Sequence, residues 1–174
     1  MWFRVAKVGT RSINQYFLQN TSANQYIYSS PGAFYPALSK SFFKFAFVRN
    51  PEDRFLSAFK NKVLQNNMFS FNSEELNKYQ DVNNFVEYIT SIPPQHQDEH
   101  FKPQYHMIPL EHLDFLGRFE SFSEDLKEVF SILGINYNTK IHNNRSAKSP
   151  VTLNEKSRSR IANYYRLDYQ IFGY

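Results

Sequence analysis

The sequence has no cysteine, and this absence sets the first limits on its chemistry. Neither a disulfide framework nor a thiolate metal site is possible without that side chain. The five histidines also lack the His-Glu-x-x-His spacing of zinc hydrolases. We therefore expect a protein that carries no metal ion.

Long hydrophobic runs are missing as well. No stretch approaches the roughly 20 apolar residues that a membrane-spanning helix requires. The first residues, Met-Trp-Phe-Arg-Val, meet a charge too early to form the apolar part of a signal peptide. We expect a cytoplasmic protein without a membrane span.

The charge balance is mildly basic, with 20 lysines and arginines against 16 aspartates and glutamates. A net charge of +4 favours anionic ligands in general. The basic residues are spread along the chain, and they form neither an arginine-rich block nor a nucleic-acid reader motif. We therefore expect no nucleic-acid partner, although net charge by itself does not distinguish a nucleotide from a polyanion.

Aromatic residues, in contrast, are abundant. The chain has 18 phenylalanines and 12 tyrosines, which supply ample material for a core. At 174 residues it is long enough to bury one core of ordinary size. Neither an internal repeat nor a domain boundary emerges from the sequence, so we expect a single domain over residues 1–174.

The segment from Phe42 to Lys62 organises the rest of the chain. Residues 42–48 form an almost unbroken apolar run, which predicts a parallel strand covered on both faces. Asn50 is a favoured helix cap and Pro51 suits the first helical position, so a helix should begin at Pro51. Its buried stripe recurs every four residues, at Phe55, Phe59 and Val63.

Two polar residues flank the junction between this strand and this helix. Arg49 follows the strand, and Ser57 lies about two turns into the helix, away from the buried stripe. Ligands of open α/β sheets bind beyond the carboxyl ends of the strands, so the pair suggests a phosphate site. The alternative is that Arg49 only forms a salt bridge with a neighbouring acid such as Asp53.

A second candidate site lies near the amino terminus, in the segment Lys7-Val-Gly-Thr-Arg-Ser-Ile13. We predict a strand over 2–8, then this loop, then a helix that buries Ile13, Tyr16 and Phe17. The loop is not a Walker A sequence, because its lysine precedes the glycine. Backbone N–H groups at a helix start could still cradle an anion there, although a tight turn with a surface lysine is an equal alternative.

Other elements follow from local patterns. We predict strands at 26–28 and 113–119, and irregular structure over 65–77 and 98–104. We also predict three more helices: one capped by Asp81, one capped by Ser123, and one opened by the capping box Thr152-Leu-Asn-Glu155 and running to about Leu167.

Three segments in this order resemble one family, the sulfotransferases, and within it the Golgi carbohydrate enzymes of the chondroitin and dermatan type. Residues 7–13 resemble the family's loop for the 5′-phosphosulfate of PAPS, 3′-phosphoadenosine 5′-phosphosulfate. Residues 47–57, Phe-Val-Arg-Asn-Pro-Glu-Asp-Arg-Phe-Leu-Ser, resemble its 3′-phosphate motif. Residues 98–104, Asp-Glu-His-Phe-Lys-Pro-Gln, are similar to its acceptor-side segment.

The resemblance implies a three-layer P-loop-like α/β fold with a central, mostly parallel sheet flanked by helices. It also implies transfer of a sulfuryl group from PAPS, the co-substrate, to a hydroxyl of a carbohydrate acceptor, without a metal. A catalytically inactive module that binds PAPS or the bisphosphate is the alternative. The residues that would bind the donor are Lys7, Val8, Gly9, Thr10, Arg11, Ser12, Ile13, Arg49 and Ser57.

Two residues are candidates for the chemistry itself. Lys7 is placed to meet the negative charge that grows on the leaving phosphate. His100, in the acceptor-side segment, is the candidate general base, and Asp98 or Glu99 could orient its ring. A carboxylate is the alternative base, with Glu99 or Glu120 as the candidates.

Overall fold

The protein is represented by a computed structural model that describes residues 1–20, 27–28, 34–136 and 151–174. The chain groups into two compact units, each assembled from two separate parts of the sequence. Unit 1 comprises Met1–Arg49 and Gln104–Arg145, and unit 2 comprises Asn50–Pro103 and Ser146–Tyr174. The single domain expected from the sequence stays a prediction.

Unit 1 is built on a parallel sheet. Its strands are β1 (Trp2–Phe3), β2 (Ile27–Tyr28), β3 (Phe45–Val48) and β4 (Phe115–Arg118), in the order β2-β1-β3-β4. Every neighbouring pair is parallel, so all the carboxyl ends lie at one edge of the sheet. The expected α/β class with a central parallel sheet is confirmed.

Two helices of unit 1 pack on this sheet through aromatic side chains. They are α1 (Thr10–Asn20) and α5 (Phe122–Ile132), numbered here in chain order. Phe17 of α1 lies against Phe45 of β3 and against Phe130 of α5, with ring centroids 6.0 and 5.7 Å apart. Phe47 contacts Phe122 at 5.3 Å. Phe45 and Phe47 are two residues apart, so the pleat of the strand points both rings to the same face. Both helices pack on that face.

Unit 2 is helical in its described residues. Its helices are α2 (Pro51–Phe59), which continues as a π-helix over Lys60–Gln65, α3 (Ser73–Tyr79), α4 (Val82–Ser91), α6 (Glu155–Tyr164) and α7 (Arg166–Phe172). The core is a cluster of aromatic rings centred on Phe85 of α4, which is fully buried. The rings within 6.0 Å of Phe85 belong to Phe55, Phe59, Phe69, Tyr88 and Phe101.

Local capping signals located α2 correctly. The helix begins at Pro51, and the Asn50 side chain accepts a hydrogen bond from the Asp53 amide, as a cap should. Phe55, Phe59 and Val63 are buried, which confirms the predicted stripe. The preceding strand is shorter than predicted, because regular strand pairing begins only at Phe45.

The predicted irregular segment 65–77 is wrong in its second half, because α3 begins at Ser73. A complete capping box starts this helix: the Asn72 side chain accepts from the Glu75 amide, and Glu75 accepts from the Asn72 amide. This signal is legible in the sequence. The asparagine-rich composition around it masked the helix.

Two other caps are misplaced by two residues. Helix α5 begins after Ser121 rather than Ser123, and helix α6 is capped by Asn154, which accepts from the Ser157 amide, rather than by Thr152. The last helix also breaks near Tyr165, where α6 gives way to α7. In each case two residues of favoured capping types lie two positions apart, and the position of the helix start between them was assigned wrongly.

Candidate functional site

The loop after β1 has an unusual backbone that leads directly into α1. Lys7 and Gly9 both have positive φ, at 71° and 86°. This conformation is uncommon for a lysine, and only strong surrounding contacts maintain it. A Cβ on Gly9 would lie 2.5 Å from the Phe122 ring, so a side chain there would be excluded by space as well as by φ. The loop is therefore held in one defined shape.

The predicted donor-binding residues of this loop differ in what they offer. Val8 and Ile13 are buried, and the Ile13 amide donates to the Gly9 carbonyl, so Ile13 contributes by holding the helix start. The Thr10 hydroxyl donates to the Val5 carbonyl at 2.7 Å and braces the loop in the same way. Arg11 is exposed.

The start of α1 nevertheless suits an anion. The first N–H groups of a helix lack intrahelical acceptors and form the positive end of its dipole. Helix α1 has eleven residues and begins at Thr10, one residue after the left-handed Gly9, and Ser12 is half-buried in its first turn. A phosphate or sulfate group fits that chemistry.

Arg49 is the first residue after β3, and its side chain reaches the same loop. A guanidinium nitrogen, Nη1, donates to the Lys7 carbonyl at 3.4 Å. Its carbon Cζ lies 4.3 Å from the centroid of the Phe119 ring, within the range of a cation–π interaction. Within unit 1, the structure therefore brings Arg49 to the predicted anion-binding loop.

The backbone of Arg49 is held by a side chain that sequence reasoning missed. The Gln104 side chain accepts from the Arg49 amide at 3.0 Å and donates to the Arg49 carbonyl at 2.9 Å. Gln104 is fully buried. It imitates the pairing of one more strand residue, so Arg49 is fixed as firmly as if the sheet continued. No local signal could have revealed a partner 55 residues away.

Ser57 and His100 belong to unit 2. Ser57 is half-buried on α2, and its carbonyl is one acceptor of the Lys60 amide where the helix widens into the π-helix. Such π-helical turns often accompany functional sites. The shared role of Ser57 with Arg49 in binding a 3′-phosphate stays a prediction.

His100 has the carboxylate partner that the sequence suggested. Its Nδ1 lies 2.7 Å from Asp98 Oδ1, and its Nε2 lies 3.9 Å from Glu99 Oε1. Burial raises the pKa of Asp98, but the hydrogen bonds from the His100 side chain and amide outweigh it and lower that pKa. Asp98 is thus ionised at neutral pH and orients the imidazole ring.

The described part of the chain contains no group of three or more histidine, aspartate or glutamate side chains that could hold a metal ion. Across the same ranges, no helix has both the length and the apolar character to cross a bilayer. Neither result tests the expected cytoplasmic location, which stays a prediction.

A left-handed loop, a helix start and an arginine meet at the carboxyl edge of a parallel sheet in unit 1. This arrangement is typical of proteins that bind the phosphate groups of a nucleotide. The chain belongs to the sulfotransferase family, whose sequence model matches residues 1–174. The P-loop-like fold expected from the sequence is the fold of that family.

Individual relatives are consistent with this assignment. Carbohydrate sulfotransferase 14 of Mus musculus is 32% identical over 104 residues, which cover 51% of this chain and 28% of the relative. Carbohydrate sulfotransferase 11 of Mus musculus is 27% identical over 167 residues, covering 78% of this chain and 47% of the relative. The chain thus spans less than half the length of either relative. No solved structure shows a significant match.

The geometry of Arg49 yields a binding prediction. Replacing Arg49 with alanine should weaken the binding of adenosine 3′,5′-bisphosphate by about 1.5–3 kcal/mol, the range for a hydrogen bond to a charged group. Isothermal titration calorimetry measures this change. Arg160→Ala, which removes the same charge from a partly exposed site on α6, is the control and should retain wild-type affinity. Equal affinity for wild type and a folded Arg49→Ala variant would remove Arg49 from the site.

Proposed function

We propose that this chain transfers a sulfuryl group from PAPS to a hydroxyl of a carbohydrate. The observation that carries the proposal is the contact between Arg49 and the Lys7 carbonyl in a member of the sulfotransferase family. The names of the relatives support a carbohydrate acceptor. Because the chain spans only part of their length, we infer its activity from its own residues, Lys7 and Arg49, and do not transfer it from the relatives.

The residues present fit PAPS as a co-substrate. PAPS supplies an activated sulfuryl group and leaves as adenosine 3′,5′-bisphosphate. The left-handed loop and the start of α1 offer backbone N–H groups to the 5′ side, and Lys7 adds an ammonium group. Arg49 and Ser57 are the residues for the 3′-phosphate, because a guanidinium forms charge-assisted bonds to phosphate oxygens. These positive groups neutralise the charge that a metal would otherwise offset.

Lys7 and the loop amides act on the leaving group. Negative charge grows on the bridging oxygen as the sulfur–oxygen bond of the donor breaks, and a positioned ammonium stabilises that charge most in the transition state. The left-handed backbone of Lys7 and Gly9, with Gly9 against the Phe122 ring, sets the direction of the loop amides before the reaction. Little reorganisation is then needed during transfer.

His100 acts on the acceptor. A hydroxyl is a weak nucleophile at neutral pH, so a base must take its proton as the new oxygen–sulfur bond forms. Since Nδ1 of His100 bonds to Asp98, Nε2 is the nitrogen that receives the proton. The ionised Asp98 carboxylate then stabilises the imidazolium.

Radiolabelled PAPS tests the activity directly. The chain is incubated with it and a panel of glycans, phenols and small alcohols, and the label in each acceptor is counted. We expect transfer to at least one glycan and none to the phenols. Stabilisation by adenosine 3′,5′-bisphosphate in a thermal shift assay without transfer to any acceptor would instead indicate the inactive binding module. Transfer only to phenols would refute the carbohydrate acceptor.

The base is tested by single-turnover transfer at several pH values. His100→Ala should lower the rate by about 10²–10⁴-fold, the usual contribution of a general base. Glu99→Gln and Glu120→Gln should change it far less, and His96→Ala is a control for loss of an exposed imidazole. Bisphosphate binding is checked in each variant. Wild-type turnover in His100→Ala, together with failure of a carboxylate variant, would transfer the role to that carboxylate.

A further inference from the structure

Arg54 is a deeply buried arginine that has no role in the proposed reaction. It lies on α2 with 1% of its surface exposed. Its Nη1 donates to the Lys102 carbonyl at 2.9 Å, and its Nη2 donates to the Glu99 carbonyl at 3.0 Å. The two arms of one guanidinium therefore hold the loop 98–103 on both sides of His100.

Tyr165 holds the same loop from the junction between α6 and α7. Its hydroxyl donates to the Phe101 carbonyl at 2.6 Å, and the whole side chain is buried. Together, Arg54 and Tyr165 donate hydrogen bonds to three backbone carbonyls of the loop, those of Glu99, Phe101 and Lys102. We call these two side chains the brace of the loop.

The loop depends on such bonds because it has little regular structure of its own. Residues 98–103 form turns, in which the Phe101 and Lys102 amides both donate to the Asp98 carbonyl. No strand ladder or helix bond of the described structure engages the carbonyls of Glu99, Phe101 and Lys102. The bond to the Phe101 carbonyl is buried and those to the other two are partly buried. Carbonyls withdrawn from water need partners, and the brace supplies them.

Stability alone is a poor reason to bury this guanidinium. Removing a charge from water is costly, and apolar residues of similar volume often serve a core as well or better. Among the described residues, Arg54 is the only buried basic side chain and Asp168 the only buried acidic one, and both belong to unit 2. Burial is the main cause that raises the pKa of the Tyr165 hydroxyl. The Arg54 charge lowers that pKa, and the Asp168 charge raises it.

What a guanidinium offers here, and an apolar side chain does not, is geometric precision. Its planar fork fixes two carbonyl oxygens relative to each other. The carbonyls that it fixes belong to Glu99 and Lys102, so the backbone on either side of His100 is set by one rigid group. Catalytic side chains need such support, because a displacement of about 1 Å can cost about 10²-fold in rate.

We propose that Arg54 and Tyr165 are positioning residues that hold the loop 98–103 in the shape that aims His100 at the acceptor hydroxyl. The inference rests on the proposed function and adds the part of unit 2 that makes His100 effective. Neither side chain is assigned a contact with the substrate. Both act through the backbone of the loop.

The test compares two tyrosines on neighbouring positions. Tyr165→Phe keeps the ring and deletes only the hydroxyl that bonds to the loop. Tyr164→Phe deletes a hydroxyl that donates to the Ile92 carbonyl at 2.9 Å and accepts from Gln97 Nε2 at 3.3 Å. Both partners lie outside the loop 98–103, so this variant is the matched control. Arg54→Lys keeps the charge but loses the fork. If Arg54→Lys does not fold, the tyrosine pair carries the test.

Rate and binding are measured for each variant, with labelled PAPS and the acceptor that the wild type uses. We expect kcat to fall by roughly 10–100-fold in Tyr165→Phe and in Arg54→Lys, while the Kd for adenosine 3′,5′-bisphosphate stays within about twofold. The pH–rate profile should change in both variants, because the imidazole is no longer held in one orientation. Tyr164→Phe should keep the wild-type kcat and profile.

Two outcomes would overturn the inference, and they are distinguishable. An active wild type with wild-type kcat and pH profile in Tyr165→Phe would overturn the brace and leave the proposed function intact. A parallel fall of kcat in Tyr165→Phe and Tyr164→Phe would show a general loss of stability and would also overturn it. A wild type that transfers no sulfuryl group to any acceptor would overturn the proposed function itself.

Discussion

The pairing between the Gln104 side chain and the Arg49 backbone is the interaction on which the candidate donor site depends. Strand β3 ends at Val48, so the backbone N–H and carbonyl of Arg49 need hydrogen-bond partners from outside the strand. The buried side-chain amide of Gln104 accepts from the Arg49 N–H and donates to the Arg49 carbonyl. The Arg49 side chain therefore starts from a fixed point, from which it reaches the Lys7 carbonyl and the Phe119 ring.

In unit 2, too, buried side chains hold an irregular backbone segment. There an irregular loop carries His100, and buried side chains rather than a strand ladder hold its backbone. Each unit therefore combines a regular scaffold with an irregular segment that bears candidate functional residues. Such segments keep their side chains accessible, and the long-range hydrogen bonds supply the rigidity that a catalytic constellation needs.

The sequence revealed features whose causes are local and missed those whose causes are distant. Asn50 and Pro51 located the start of α2, because a cap and a first-turn proline act on their immediate neighbours. The association of His100 with Asp98 was legible for the same reason. Gln104 and Tyr165 were not, since their partners lie 55 and 64 residues away and only the folded chain brings them together.

The most direct test of the account is whether the protein selects a nucleotide by its 3′-phosphate. Isothermal titration calorimetry compares adenosine 3′,5′-bisphosphate with adenosine 5′-monophosphate on the wild-type chain. One charged hydrogen bond is worth about 1.5–3 kcal/mol, so the bisphosphate should bind at least about tenfold more tightly. Equal affinity for the two nucleotides would contradict the assignment of Arg49 and Ser57, and with it the proposed donor.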